Sequence, residues 1–255
     1  MNASKMSILG VIPARYGSTR FPGKPLIPIA GVPMITRVLR QALKATLLDQ
    51  VIVATDHEEI AREVQKTGDY VMMTSSNHAS GSDRLLEVAK NIEADIYVNI
   101  QGDEPFLDPE MIDEAITYLQ NHREWDVTTT AVLFLSKEEW ENPNRVKVLC
   151  NDAMQALYFT RIPIPRTQSH GIPPNVYRHL GLYVYRQETL RAFGQLPIHP
   201  VEKEESLEQL RLLMAGYHFG VLLTEHDSPS VDVYEDVKQI EQWMIENKCK
   251  DIEGL

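Results

Sequence analysis

From Ser7 to Asn121 the chain alternates short apolar runs with amphipathic segments of about ten residues. Ser7–Pro13, Gln50–Thr55, Asp69–Thr74 and Asp95–Ile100 read as strands. Met34–Lys44, His57–Lys66, Ser82–Ile92 and Glu110–Asn121 carry helical apolar spacing. Parallel strands need crossover connections, and helices of this length supply them. Right-handed crossovers then place helices on both faces of a mainly parallel sheet. The expected fold class is therefore α/β, a Rossmann-like mixed sheet flanked by helices.

The second half reads differently. Asp126–Phe134, Arg145–Cys150, Ala156–Arg161 and Tyr177–Tyr185 look like strands with few helices between them. They predict a smaller antiparallel lobe within residues of about 126–200 of one domain. Four prolines bracket the loop from Ile162 to Val176 and exclude a helix there. A helix over Ser206–Ala215, a strand over Phe219–Thr224 and a helix over Tyr234–Asn247 follow.

Composition narrows the partners. With 43% hydrophobic and 24% charged residues the chain has an ordinary globular balance. Its net charge of −11 disfavours duplex DNA and anionic membrane surfaces. No apolar stretch is long enough for a membrane span, and no signal peptide is read at the start. Two widely spaced cysteines, Cys150 and Cys249, imply neither a disulfide framework nor a metal site, and fit a reducing cytoplasm.

One basic loop stands out against this acidity. Gly10–Leu26 reads GVIPARYGSTRFPGKPL and directly follows the first strand. In an open α/β sheet, ligands bind beyond the carboxyl ends of the strands. The loop is not a Walker loop, because five residues separate Gly17 from Gly23 and Pro25 follows Lys24. The dinucleotide glycine fingerprint is also absent. Arg15, Arg20 and Lys24, with close backbone approach at Gly17, suit a triphosphate of roughly −4 charge. A solvated basic loop is the alternative.

Asn99–Pro105, NIQGDEP, ends a strand in Asp103 and Glu104. A carboxylate at that edge suits Mg²⁺, which takes oxygen ligands and needs only one or two from protein. VDVYED supplies a second acidic position, Asp232, which also reads as a helix N-cap.

The combination PARYGSTRFPGKPL, VATD, HASGSDR, VNIQGDEP, ALYFTR, RHLGLYVYR, LEQLR and SVDVYED resembles the CMP-Kdo synthetase (3-deoxy-manno-octulosonate cytidylyltransferase) family over nearly the whole chain. The resemblance implies a nucleotide-diphospho-sugar transferase type of fold with a dimerisation lobe. It implies a cytoplasmic homodimer that joins CTP to the acidic sugar Kdo, giving CMP-Kdo and pyrophosphate with Mg²⁺, for lipopolysaccharide. It assigns Arg15 and Lys24 to the CTP phosphates, with Ser18 and Arg20 nearby. Ser80, Gly81, Ser82 and Arg84 would face the cytosine and the sugar acid. Gln101 and Asp103 match the strand-end motif, and Asp103 and Asp232 the metal aspartates. Arg161, His179, Tyr183, Glu208 and Gln209 match the Kdo positions. Two departures are visible: Ser82 stands where the family more often has Thr, and Val233–Tyr234 where it often has Thr-Pro.

In-line displacement at the α-phosphorus needs positioning and charge stabilisation more than covalent help from protein. Arg161 and Arg84 are candidate partners for the sugar carboxylate. Without the resemblance, Glu208 and Gln209 read as a solvated helix face, His179 as a strand histidine and Tyr183 as packing. A cytidylyltransferase for 8-amino-Kdo or a sialic acid is one alternative. A non-catalytic nucleotide-sugar binding protein is another.

Overall fold

The computed structural model describes residues 5–17, 21–68, 70–78, 80–165, 171–227, 229–231 and 233–246. The sheet strands in chain order are β1 (Ile8–Ala14), β4 (Gln50–Thr55), β5 (Tyr70–Met73), β6 (Ile96–Asn99), β7 (Val127–Val132), β8 (Lys147–Cys150), β9 (Ala156–Thr160), β10 (Val176–Arg186) and β11 (Phe219–Leu223). A small hairpin, β2 (Pro28–Ile29) with β3 (Val32–Pro33), lies apart from them. The helices are α1 (Met34–Ala42), α2 (Glu58–Gln65), α3 (Gly81–Asn91), α4 (Pro109–Asn121), α5 (Lys137–Glu141), α6 (Gln187–Phe193), α7 (Pro200–Glu205), α8 (Leu210–Met214) and α9 (Tyr234–Glu246).

The main sheet runs β11-β7-β10-β6-β1-β4-β5. β1 pairs in parallel with β4 and β6, β4 with β5, and β7 with β11. β10 alone runs against its neighbours β6 and β7. This is the mixed, mainly parallel sheet that the alternation predicts. Period-two patterning puts Ile8, Ile12, Val98 and Ile100 into a core with α1, α2 and α4. Leu9, Val11 and Tyr97 point the other way, into a core with α3, α6 and α8. Both faces are covered, so the strands read as nearly continuous apolar runs.

β10 links this sheet to the antiparallel lobe. Its residues Val176–Arg178 pair with β8, which pairs in turn with β9. Because β10 is antiparallel, its amino-terminal part lies at the carboxyl edge of β1, β4 and β6. The lobe is therefore built out from the edge where an α/β sheet binds ligands.

The expectation of one helix over Ser206–Ala215 is corrected. α7 begins earlier, with Pro200 in its first turn and a capping box from His199 to Glu202. It ends at Ser206, whose φ of 52° lies in the left-handed region. The chain turns through Leu207–Gln209 before α8 starts. The apolar spacing of Leu207, Leu210 and Leu213 masks this break. Glu202 ties the two pieces together by accepting twice from Arg211, at 2.8 and 2.6 Å. The short helices α5 and α6 also fall where no helix is expected. Asp69, residues 166–170 of the Pro-rich loop and Asn247 lie outside the described residues.

Candidate active site

The site is built from chain segments that leave the carboxyl ends of β1, β5 and β6. Beyond β1, the Tyr16 carbonyl accepts from the Gly23 N–H at 3.0 Å, which closes the basic loop at its stem. Gly23 has a φ of 71°, a conformation glycine adopts without strain, and it starts the turn Lys24–Leu26. The Tyr16 ring stacks on His57 with centroids 3.8 Å apart. Beyond β6, Gly102 passes so close to β1 that a Cβ would sit 2.7 Å from the Pro13 carbonyl oxygen. That close approach carries Asp103 to Lys24, and Nζ lies 2.9 Å from Asp103 Oδ2.

Arg15, Lys24, Ser80, Gly81, Arg84, Gln101 and Asp103 line one open cleft of about 780 Å³, counting the solvent at its mouth. Ser80 caps α3 in a reciprocal box with Asp83. The Asp103 carbonyl accepts from the Val231 N–H at 2.9 Å, one residue before Asp232. Asp232, Ser18 and Arg20 lie outside the described residues.

Arg84 is buried rather than facing the cleft freely. Its Nη2 donates to Asp56 Oδ2 at 2.9 Å and its Nη1 to the Ser75 carbonyl at 3.4 Å. Removing one partner of such a buried pair strands a charge and costs about 3–5 kcal/mol.

The second group assembles under the lobe. Tyr183 lies opposite Asn99 in the β10–β6 register, and Tyr185 opposite Tyr97. The two β10 tyrosines stack at 5.8 Å, and burial pushes both hydroxyls above their ordinary range. The Thr129 hydroxyl donates to the Leu182 carbonyl at 2.8 Å, so His179 Nε2, also at 2.8 Å, is the donor to its oxygen. Burial pushes the His179 pKa down to about 3 and so favours the neutral ring.

Glu208 sits in the turn between α7 and α8. Its Oε1 accepts from the Ser82 hydroxyl at 2.6 Å, while Oε2 is buried without a partner among the described residues. Burial raises the Glu208 pKa. Gln209 beside it is buried. Gln101 Nε2 donates to the Gly181 carbonyl at 2.8 Å, and a Cβ on Gly181 would lie 2.6 Å from Gln101 Cγ.

Arg161 is tied to the same turn. Its Nε donates to the Glu205 carbonyl at 3.0 Å, and Nη1 and Nη2 make longer bonds to the Pro143 and Ser206 carbonyls at 3.3 and 3.5 Å. Buried Lys147 donates to the Arg161 carbonyl at 2.9 Å and fixes its backbone.

The structure therefore gathers Arg15, Lys24, Ser80, Gly81, Arg84, Gln101 and Asp103 in the cleft. Contacts through Ser82 and Gln101 connect that cleft to Glu208 and to the β10 wall. Asp56, Asn99 and Thr129 escape the sequence reading. Asn99 is buried with its amide unpartnered among the described residues, and its one signal is an asparagine inside the apolar run Ile96–Ile100. Among the described residues one triad has spacing suited to a metal, Asp108, Glu110 and His226. Asp108 there caps α4 and pairs with His226 at 2.9 Å, so ordinary contacts account for it.

The profile of the family described as Cytidylyltransferase matches residues 9–226. The chain belongs to this family. A protein of Syntrophotalea carbinolica named 3-deoxy-manno-octulosonate cytidylyltransferase is 43% identical over 244 residues, covering 92% of this chain and 98% of its own. A Leptospira interrogans protein of the same name is 45% identical over 232 residues, covering 91% and 93%. A solved structure of CMP:2-keto-3-deoxy-manno-octonic acid synthetase complexed with CTP superposes with a TM-score of 0.89. It is 38% identical and covers 94% of this chain and 99% of that one. A 4-diphosphocytidyl-2C-methyl-D-erythritol synthase from Anaerococcus prevotii shares the fold alone, at 15% identity and a TM-score of 0.65 over 94% of this chain and 97% of its own. The resemblance read from the motifs is thereby borne out, within the 3-deoxy-manno-octulosonate cytidylyltransferase branch.

Proposed function

We propose that this chain transfers CMP from CTP to the anomeric hydroxyl of Kdo, releasing pyrophosphate, as a cytoplasmic homodimer serving lipopolysaccharide synthesis. The observation that carries the reading is the Lys24–Asp103 pair, 2.9 Å across a cleft rimmed by Arg15. Residues 79 positions apart have been brought together there, a cation from the basic loop and a carboxylate from a strand end.

The donor set fits Mg²⁺. Asp103 is a partly exposed carboxylate that already holds a cation, and oxygen ligands of this kind are what Mg²⁺ takes. Asp103 and Asp232 would hold the ion, which would supply charge neutralisation at the phosphate oxygens. The backbone bond from the Val231 N–H to the Asp103 carbonyl brings the described chain just before Asp232 beside Asp103.

Lys24 exchanges its bond to Asp103 for a phosphate oxygen of CTP, and Arg15 adds a guanidinium beside it. Together they stabilise the charge that grows on the departing pyrophosphate. On the acceptor side, Tyr183, neutral His179, Glu208 and Gln209 read sugar hydroxyls, and Glu208 Oε2, unpartnered among the described residues, is a spare acceptor. Of the two arginines considered for the sugar carboxylate, Arg161 is favoured. Its Nη atoms hold only long bonds at 3.3 and 3.5 Å, whereas Arg84 is committed to Asp56. The exposed Leu133, Leu135, Leu157 and Ile162 around the lobe support a homodimer. No helix among the described residues is long and apolar enough to cross a membrane.

Pyrophosphate release from CTP, measured with Kdo, 8-amino-Kdo and a sialic acid and with or without a chelator, tests the reading. Release with Kdo that the chelator abolishes is expected. CTP binding without release for any of the three would refute it.

A further inference from the structure

We infer that Asp56 is the positioning residue that sets the phosphate-gripping loop, coupling it to α3 through Arg84. This deepens the function proposed above and rests on it for the role of CTP. Asp56 stands at the first position beyond β4, and its carboxylate is almost fully used. Oδ1 accepts from the Tyr16 N–H at 3.2 Å, and Oδ2 accepts from Arg84 Nη2 at 2.9 Å.

Each of those partners passes the constraint on. Tyr16 holds Gly23 through its carbonyl, and Gly23 delivers Lys24. The Tyr16 ring lies flat on His57, the residue next to Asp56, at 3.8 Å and 14°. Arg84 Nη1 reaches the Thr74 hydroxyl at 2.5 Å, beyond the end of β5. The carboxylate thus joins segments that leave β1, β4 and β5 to the first turns of α3. It also balances a guanidinium whose side chain is only 3% exposed, beside a cleft meant for anions.

Asp56 does not itself line the cleft, and among the described residues its bonds reach the lining at Arg84 alone, which is why it acts by positioning. Asparagine at this place keeps an acceptor for the Tyr16 N–H. Alanine keeps none. The expected order of damage is therefore alanine well above asparagine. Loss of a hydrogen bond to a charged acceptor at the loop stem predicts a rise in the CTP dissociation constant of about ten-fold or more for Asp56→Ala.

The test compares wild type, Asp56→Asn and Asp56→Ala by amide hydrogen exchange of the ligand-free protein and by calorimetric titration with CTP, with Kdo left out. Exchange at the Tyr16 and Gly23 N–H groups should accelerate in Asp56→Ala by more than the general acceleration that loss of the buried ion pair brings to α2 and α3. CTP affinity should fall in the same variant, and Asp56→Asn should restore much of both. If Asp56→Ala does not fold, Asp56→Leu, close in shape and without an acceptor, must show exchange at the loop stem accelerated beyond that of α2 and α3. Wild-type exchange at the stem of Asp56→Ala, or acceleration there no greater than in α2 and α3, overturns the assignment. A wild-type protein that transfers nothing to Kdo would refute the proposed reaction, whereas the exchange pattern would still decide the role of Asp56.

Discussion

The cleft beyond β1 and the wall beneath the lobe solve opposite electrostatic problems. In the cleft, charged groups stand partly exposed and opposite in sign, Lys24 against Asp103, and they come from two compact stretches of sequence. Under the lobe, polar groups are buried or half-buried and held neutral or short of partners: His179 on Thr129, Tyr183 beside Asn99, and Glu208 with one oxygen unpartnered among the described residues. The first arrangement suits a highly charged, strongly hydrated phosphate chain, for which charge matters more than shape. The second suits a polyol, because buried acceptors and donors discriminate between hydroxyl patterns by the penalty of leaving one unmatched.

The sharpest way to break this contrast is at the cation and its carboxylate. Asp103→Ala should lower turnover by about 10³-fold or more, equivalent to roughly 4 kcal/mol of barrier, with circular dichroism unchanged. Near-normal pyrophosphate release from that variant would remove the charged half from the chemistry. Lys24→Met should cost about 10²–10³-fold in kcat, the loss expected when one charge-stabilising donor is removed. If it raises only the KM for CTP, Lys24 binds ground state and transition state alike.

Steric change should hit the other half. A Cβ at Gly181 lies 2.6 Å from Gln101 Cγ, so Gly181→Ala must displace Gln101 or the β10 backbone. Overpacking of this kind costs about 1–3 kcal/mol, seen as a thermal midpoint lower by several degrees. The KM for the sugar acid should rise about ten-fold while CTP affinity holds. An equal loss of CTP affinity would mean that Gly181 serves both halves.

The two halves also differ in how readily the sequence discloses them. The parallel strands are plain because both faces are buried, so Leu9 and Val11 serve one core as Ile8 and Ile12 serve the other. Arg15, Lys24 and Asp103 are plain because strand ends in this fold meet at one edge. Glu208 is hidden by a helical apolar spacing that the chain interrupts at Ser206, a break written in backbone conformation rather than residue type. Asp56 is hidden for another reason: a strand-end Asp before a helix reads as a cap, yet His57 caps α2 and leaves the Asp56 carboxylate to Tyr16 and Arg84. Asn99 and Thr129 gain meaning only from the cross-strand register with β10.

The smallest expected effect lies in pH, and it separates two members of the buried wall by sign. His179 is depressed to about 3 from an ordinary value near 6.5, so its contribution to stability is present above about pH 6.5 and is lost as pH falls toward 3. Glu208 is raised by burial, so its contribution is present at low pH and is lost as pH rises through its folded value. Urea unfolding at several pH values should show His179→Asn losing less stability than wild type between pH 7 and 4.5. Glu208→Gln should gain on wild type as pH rises over the same interval. Parallel curves for both variants and wild type would mean that water reaches this wall freely, and the contrast with the charged cleft would then be one of residue type alone.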